Sequence, residues 1–173
     1  MKNILTKILT VFTLLLTFMS FGQNTMTELS EKTITTKDLE IIVGEWTGSL
    51  TYIDYSSNKP YTMPANLIVK KGKNENQLLL FNIFPNEPNA NSTDKIIISK
   101  NGRQLNKNNL RSKQILSNGQ IEITTEYVGK DNKKKALIRN IYILGEEQFI
   151  MRKEVQFENT NEWIKRNEFS YNR

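Results

Sequence analysis

The sequence predicts an all-β fold: an antiparallel up-and-down barrel of about 8–10 strands behind one short N-terminal helix. Three observations predict it. Beyond residue 44 the chain is a succession of strand-length segments separated by short polar turn clusters. Asn-Gly pairs stand at 101–102 and 118–119, where a type I′ hairpin turn needs residues that tolerate positive φ. The segment "GEWTGSLTY" alternates cleanly, with Trp46, Gly48, Leu50 and Tyr52 on one face and Thr47, Ser49 and Thr51 on the other.

The elements follow in order. Residues 1–22, "MKNILTKILTVFTLLLTFMSFG", place Lys2 and Lys7 before an uncharged apolar run that ends in small residues, the pattern of a signal peptide cut after Gly22. Thr10, Thr13 and Thr17 interrupt the run, which falls short of the ~20 apolar residues of a spanning helix. The expectation is an exported protein, periplasmic or extracellular, with no stable membrane insertion of the mature chain. Without cysteine there is no thioether lipid anchor and no disulfide. Residues 23–37 are polar and unpatterned and read as a flexible segment. In "TTKDLEIIV", Thr35 is an N-cap with Asp38 three residues on, and Gly44 is the stop. Residues 38–173 then form one barrel domain, with strands expected at 45–55, 61–71, 77–84, 95–100, 103–106, 111–117, 120–128, 134–144, 147–158 and 162–172.

Composition narrows function. The chain holds no histidine and no cysteine, which removes histidine-based triads, histidine-ligated haem and most zinc sites. No calcium-loop motif is present, so neither metal nor cofactor is expected. The net charge of +6 falls by two when Lys2 and Lys7 leave, and the one basic run, Lys133 to Lys135, reads as a solvated hairpin end. Nucleic acid is therefore not an expected partner.

Charge pairing sets a register for the C-terminal strands. A loop at 159–161 puts Phe157 opposite Trp163, Met151 opposite Phe169 and Phe149 opposite Tyr171, with Glu154 meeting Arg166 and Arg152 meeting Glu168 on the other face. A loop at 145–148 sets Tyr142 opposite Met151 and Arg139 opposite Glu154. A turn after Tyr127 sets that residue opposite Lys134 and Glu122 opposite Arg139. The row Glu122, Arg139, Glu154, Arg166 then faces solvent and the aromatic face points inward; the inverse arrangement would give a wet, charged lumen. On the inner face Asn140, Lys153 and Asn167 form a polar row next to Ile121. An ammonium there needs an anionic ligand, water, or an acid such as Asp54 or another carboxylate.

Gly44-x-Trp46 on the first strand, after a short helix, resembles the lipocalins and the wider calycin group. That resemblance implies that Trp46 closes one barrel end near a basic residue of the last strand, with Arg166, Lys165 and Arg173 as candidates; Gly44, Trp46, Gly48 and Arg166 are taken as the closure set. Gly44-x-Trp46-x-Gly48 also resembles the opening of nitrobindin-like barrels, which have ten strands and hold haem through a histidine. This chain lacks that histidine, so the resemblance does not imply haem. The expected function is binding of a small hydrophobic or anionic lipid ligand inside the barrel by Tyr52, Asn140, Tyr142, Met151, Lys153, Trp163, Asn167 and Phe169. One alternative is a filled, non-enzymatic barrel that meets another envelope protein, motivated by Ile141, Ile143 and Ile164 on the outer face. Another is acid–base catalysis by Lys153 with Tyr142. No catalytic set is singled out and no enzyme is expected; oligomeric state is not legible.

Overall fold

The computed structural model describes residues 33–173; the expected signal peptide lies outside the described residues, as does most of the segment after it. A short helix α1 (Thr36–Glu40) precedes β1 (Gly44–Ile53), β2 (Pro60–Pro64), β3 (Asn66–Lys71) and β4 (Gln77–Ile83). A 3-10 turn (Pro88–Ala90) leads to β5 (Ser92–Ile97), β6 (Gln104–Leu105), β7 (Asn108–Ile115), β8 (Ile121–Asp131), β9 (Lys134–Leu144), β10 (Gln148–Phe157) and β11 (Ile164–Asn172). The strands run β5-β4-β3-β1-β11-β10-β9-β8-β7-β6 around an antiparallel sheet, with β2 also on β1. Gly48 O accepts the N–H of Ala65 between β2 and β3, so both pair with β1 in one continuous register.

The sheet closes between its terminal strands. Ile98 bridges Leu105, and around it the N–H groups of Ser99 and Asn106 donate to Gln104 O at 3.0 Å and Ile97 O at 2.8 Å. This seam is a single bridge, so the barrel is nearly, rather than uniformly, closed. Among the described residues no helix is long and apolar enough to cross a membrane.

The helix plugs one end. Asp38 accepts the Thr35 N–H at 2.6 Å and the Thr35 hydroxyl at 2.8 Å, and also receives the Lys113 ammonium at 2.9 Å from the inner face of β7. Ile34, Leu39 and Ile42 are buried, and the Ile34 N–H donates to Gly102 O. The stretch expected to be flexible thus joins the fold from Ile34 onward.

Three inner tiers of side chains run across the sheet. Ile121, Leu144, Phe149, Tyr171 and Gly48 face one another in sequence around the wall. The next tier is Ile123, Tyr142, Met151, Phe169, Leu50 and Met63, and the third is Thr125, Asn140, Lys153, Asn167, Tyr52 and Tyr61. Phe149, Tyr171 and Phe169 stack successively at 5.9 and 5.8 Å. Gly48 makes that stack fit: a Cβ there would lie 2.1 Å from Ser170 O and 2.8 Å from Tyr171 Cα, both backbone atoms. Gly48→Ala should therefore open the β1–β11 seam and lower stability by about 1–3 kcal/mol, read as a fall in urea midpoint; an unchanged midpoint would show that the seam yields freely.

Two registers differ from the expected ones. Between β8 and β9 the turn is only Asn132–Lys133, both at positive φ (45° and 67°) as a type I′ turn requires, so strand pairing continues through Gly129 to Asp131. Tyr127 lies opposite Ile138 rather than Lys134, and Arg139 meets Glu126 rather than Glu122. The shift is four residues, an even number, so every side chain keeps its face. Asn106–Lys107 forms a second such turn, whereas in the two Asn-Gly pairs only the glycine takes positive φ. Between β10 and β11 the expected register holds from Phe149 to Lys153, then slips at a bulge so that Glu154 faces Lys165 and Val155 faces Ile164. Arg166 is the extra residue of the bulge and does not meet Glu154.

The charged row is on the outside except for Arg166, which the bulge takes inward onto Asp131. Arg139 reaches Glu126 and Glu154, and Arg152 reaches Glu154 and Glu168, each side chain partly exposed and each pair worth ~0.2–1 kcal/mol. The outer isoleucine patch is not formed: Ile141 is buried, and Ile164 turns inward onto Ala136, Ile138 and Val155.

Candidate functional site

At the plugged end, the Trp46 indole is buried against Phe149 and donates from Nε1 to Ile42 O at 2.8 Å. The basic residue on its ring is Arg173, with its guanidinium 4.3 Å from the ring centroid. Arg173 also donates to Val43 O at 3.0 Å, to Ile41 O at 2.8 Å and to Glu146 O, so it ties the last residue of the chain to the helix exit. Gly44, at φ 133°, lies beneath it: a Cβ there would stand 3.1 Å from Arg173 Nη1. Of the expected closure set, Gly44, Trp46 and Gly48 therefore stand at this end and Arg166 does not. The bulge turns Arg166 toward the opposite end of the lumen.

There Arg166 Nε donates to Asp131 Oδ2 at 2.8 Å, Lys153 Nζ donates to Asp131 Oδ1 at 2.9 Å, and the Tyr55 hydroxyl donates to the same oxygen at 2.7 Å. The Asp131 side chain is 1% exposed, Arg166 11% and Lys153 27%. Burial alone would raise the Asp131 carboxyl, but the Lys153 and Tyr55 hydrogen bonds and the two cationic charges outweigh it and hold it below the usual carboxylate range. Burial and the Asp131 carboxylate push the Tyr55 hydroxyl up, so Tyr55 stays a donor. The acid that Lys153 requires is thus Asp131, not Asp54; Asp54 is instead engaged by the hydroxyls and N–H groups of Ser56 and Ser57.

A cavity of about 330 Å³ occupies the lumen beside this cluster. Asn140, Tyr142, Met151, Lys153, Asn167 and Phe169, all singled out from the sequence, line it together. The facing wall, from β4 and β5, was not foreseen: Leu80, Phe84 and Ile96 supply apolar surface, and Asn82 donates to Asp94 at 2.7 Å and Ser92 at 3.1 Å. Alternation along "LLLFNIF" opposite "STDKII" carried the signal for these residues, since Leu78, Leu80, Asn82 and Phe84 are buried while their neighbours are less so. Tyr142 is pushed up to about 12, by burial first and by Tyr127 second, so it is a neutral hydrogen-bonding wall at any ordinary pH. Absorbance at 295 nm should show Tyr142 ionising only near that value in the folded protein; a titration near 10 would mean the lumen is wet at Tyr142.

Two buried hydroxyls on the inner face, Thr125 Oγ1 beside Asn140 and Tyr171 Oη, have no hydrogen-bond partner among the described residues. The third-tier residue Tyr52 lines an adjoining pocket rather than this cavity. Trp163 lines neither: the bulge leaves it under the outer Arg139 guanidinium, 3.7 Å from its ring centroid, and not opposite Phe157. No group of three or more metal-ligating side chains is gathered among the described residues.

Fold and site together define a nearly closed antiparallel up-and-down barrel, plugged at one end by a helix and carrying a cavity in its lumen. Among solved structures the chain is similar to that of Rv2717c from M. tuberculosis, with a TM-score of 0.52 at 9% identity, over 79% of this chain and 95% of that one. That likeness concerns the fold alone. No family model matches the sequence, and a search of curated proteins returns no match.

Proposed function

We propose that the protein is an exported, non-enzymatic carrier that holds a small amphipathic molecule, such as a short lipid, in its lumen. The observation that supports it is the cavity that gathers the six inner-face residues above against an apolar wall. Its volume is at the low end of the ~300–1,000 Å³ typical of ligand sites, which favours a compact ligand over a long chain. The apolar body would lie on Leu80, Ile96, Met151 and Phe169, and the polar end would meet the amides of Asn140 and Asn167. Lys153 adds positive charge at that end although its ammonium is already engaged by Asp131, so an anionic head would share it rather than neutralise it alone.

The test is native mass spectrometry of protein purified from its own source. Expected is an extra mass that leaves on denaturation and is absent from Met151→Trp, in which an indole fills the cavity. A bare chain mass across repeated preparations would overturn the reading. Asn140→Leu, which leaves the Asp131 ion pairs intact, should reduce occupancy if the amides hold the polar end.

A further inference from the structure

Arg166 is built more elaborately than a counter-ion for Asp131 requires. Its guanidinium carbon lies 5.0 Å from the Tyr55 ring centroid and 5.6 Å from that of Phe157, so aromatic rings fix its plane. Its Nε edge is committed to Asp131. Among the described residues no hydrogen bond engages its two Nη groups. The side chain lines a second compartment of about 390 Å³, adjoining the first at Asn167 and Phe169 and walled by Leu50, Tyr52 and Tyr55. A fixed planar fork with its outer edge unengaged, in an aromatic pocket, matches a carboxylate in geometry as well as in charge. Asp54 shares the pocket, but its carboxylate is turned into its own loop by Ser56 and Ser57. Lys153 and Arg166 together face a single buried carboxylate, which leaves the cluster one negative charge short.

We propose that this second compartment is a subsite for a small aromatic carboxylate, with the carboxylate on the Nη edge of Arg166 and the ring against Tyr52 and Phe169. The inference rests on the reading of the lumen as ligand-bearing but not on what fills the first cavity. Tyr52, in tilted contact with Tyr61 at 5.5 Å, is pre-set to receive a ring.

The experiment titrates the purified protein with 1-naphthoate, its uncharged amide 1-naphthamide, and octanoate, following backbone amide NMR shifts. Expected is naphthoate binding that shifts Leu50, Tyr52 and Asn167, with naphthamide and octanoate each about tenfold weaker. Arg166→Lys keeps a cation beside Asp131 but offers no planar fork, and should weaken naphthoate about tenfold without changing naphthamide. Equal binding of naphthoate and naphthamide overturns the proposal, as does a shift confined to Leu80 and Ile96, which would put the probe in the first cavity. Preference for octanoate would assign the compartment to an aliphatic acid and likewise overturn it. If a native ligand is found by mass spectrometry while naphthoate fails, this inference falls alone; if neither is seen, the carrier reading falls with it.

Discussion

Asp131→Ala should cost the protein about 3–5 kcal/mol of stability, more than any other removal of a single charge. The substitution leaves Lys153 and Arg166 facing each other without the carboxylate that both contact, and strips the Tyr55 hydroxyl of its acceptor. Removing a cation should cost less, because one partner of Asp131 always remains. Urea unfolding of Asp131→Ala, Lys153→Met and Arg166→Leu would rank them, and a loss below about 1 kcal/mol for Asp131→Ala would mean that water relieves the cations. Replacing all three by apolar residues should be far milder than Asp131→Ala alone, since no uncompensated charge is left behind.

The same cluster gives the acid limb a sign. Asp131 has a folded pKa below its unfolded value, near 3.9. Its contribution is therefore complete above that unfolded value and is lost as pH falls through the folded one. Stability should drop as pH falls below about 4 in the native protein, and Asp131→Asn should flatten that part of the profile. Glu168, held below its usual range by Lys165 and Arg152 against the opposing effect of burial, adds a smaller loss of the same sign.

Trp46→Ala should be comparably severe, about 3–5 kcal/mol, because it removes a fully buried indole at the plugged end. The loss has three parts: contact with Phe149, the Nε1–H bond to Ile42, and the platform for Arg173. Trp46→Phe keeps the ring and loses the hydrogen bond, and should cost about 1–3 kcal/mol with Ile42 O left seeking a donor. In a Trp163→Phe background the remaining indole reports its own environment, so blue-shifted emission that moves red on unfolding would confirm its burial. A small effect of Trp46→Ala would show that α1 repacks into the vacated space.

Strand count, antiparallel order and the facing of most side chains were legible because period-2 alternation survives any even error in register. The β8–β9 pairing shows how: a four-residue displacement left Ile123, Tyr142 and Arg139 on the expected faces while changing every partner. That displacement also hid Asp131, since "GKDNK" reads equally well as a five-residue loop or as strand around a two-residue turn. An odd slip is costlier. The bulge after Lys153 moved Trp163 outward, Ile164 inward and Arg166 into the lumen, and nothing in local composition announces it. Arg173 stood among the three candidates for the Trp46 partner but could not be chosen over Arg166 and Lys165, because a residue beyond the strand pattern carries no register. The β4–β5 wall of the cavity was hidden because no charge pairs pin its register to the rest.

β1 pairs along half its length with β11, so Thr47 and the carbonyl of Asn172 meet across 125 positions of sequence. During translation the first strand waits on that side until β11 has left the ribosome, and the barrel acquires its stacked aromatic wall only then. Because β1 leans on β11 along that side, deletion of β11 should leave the barrel unable to fold.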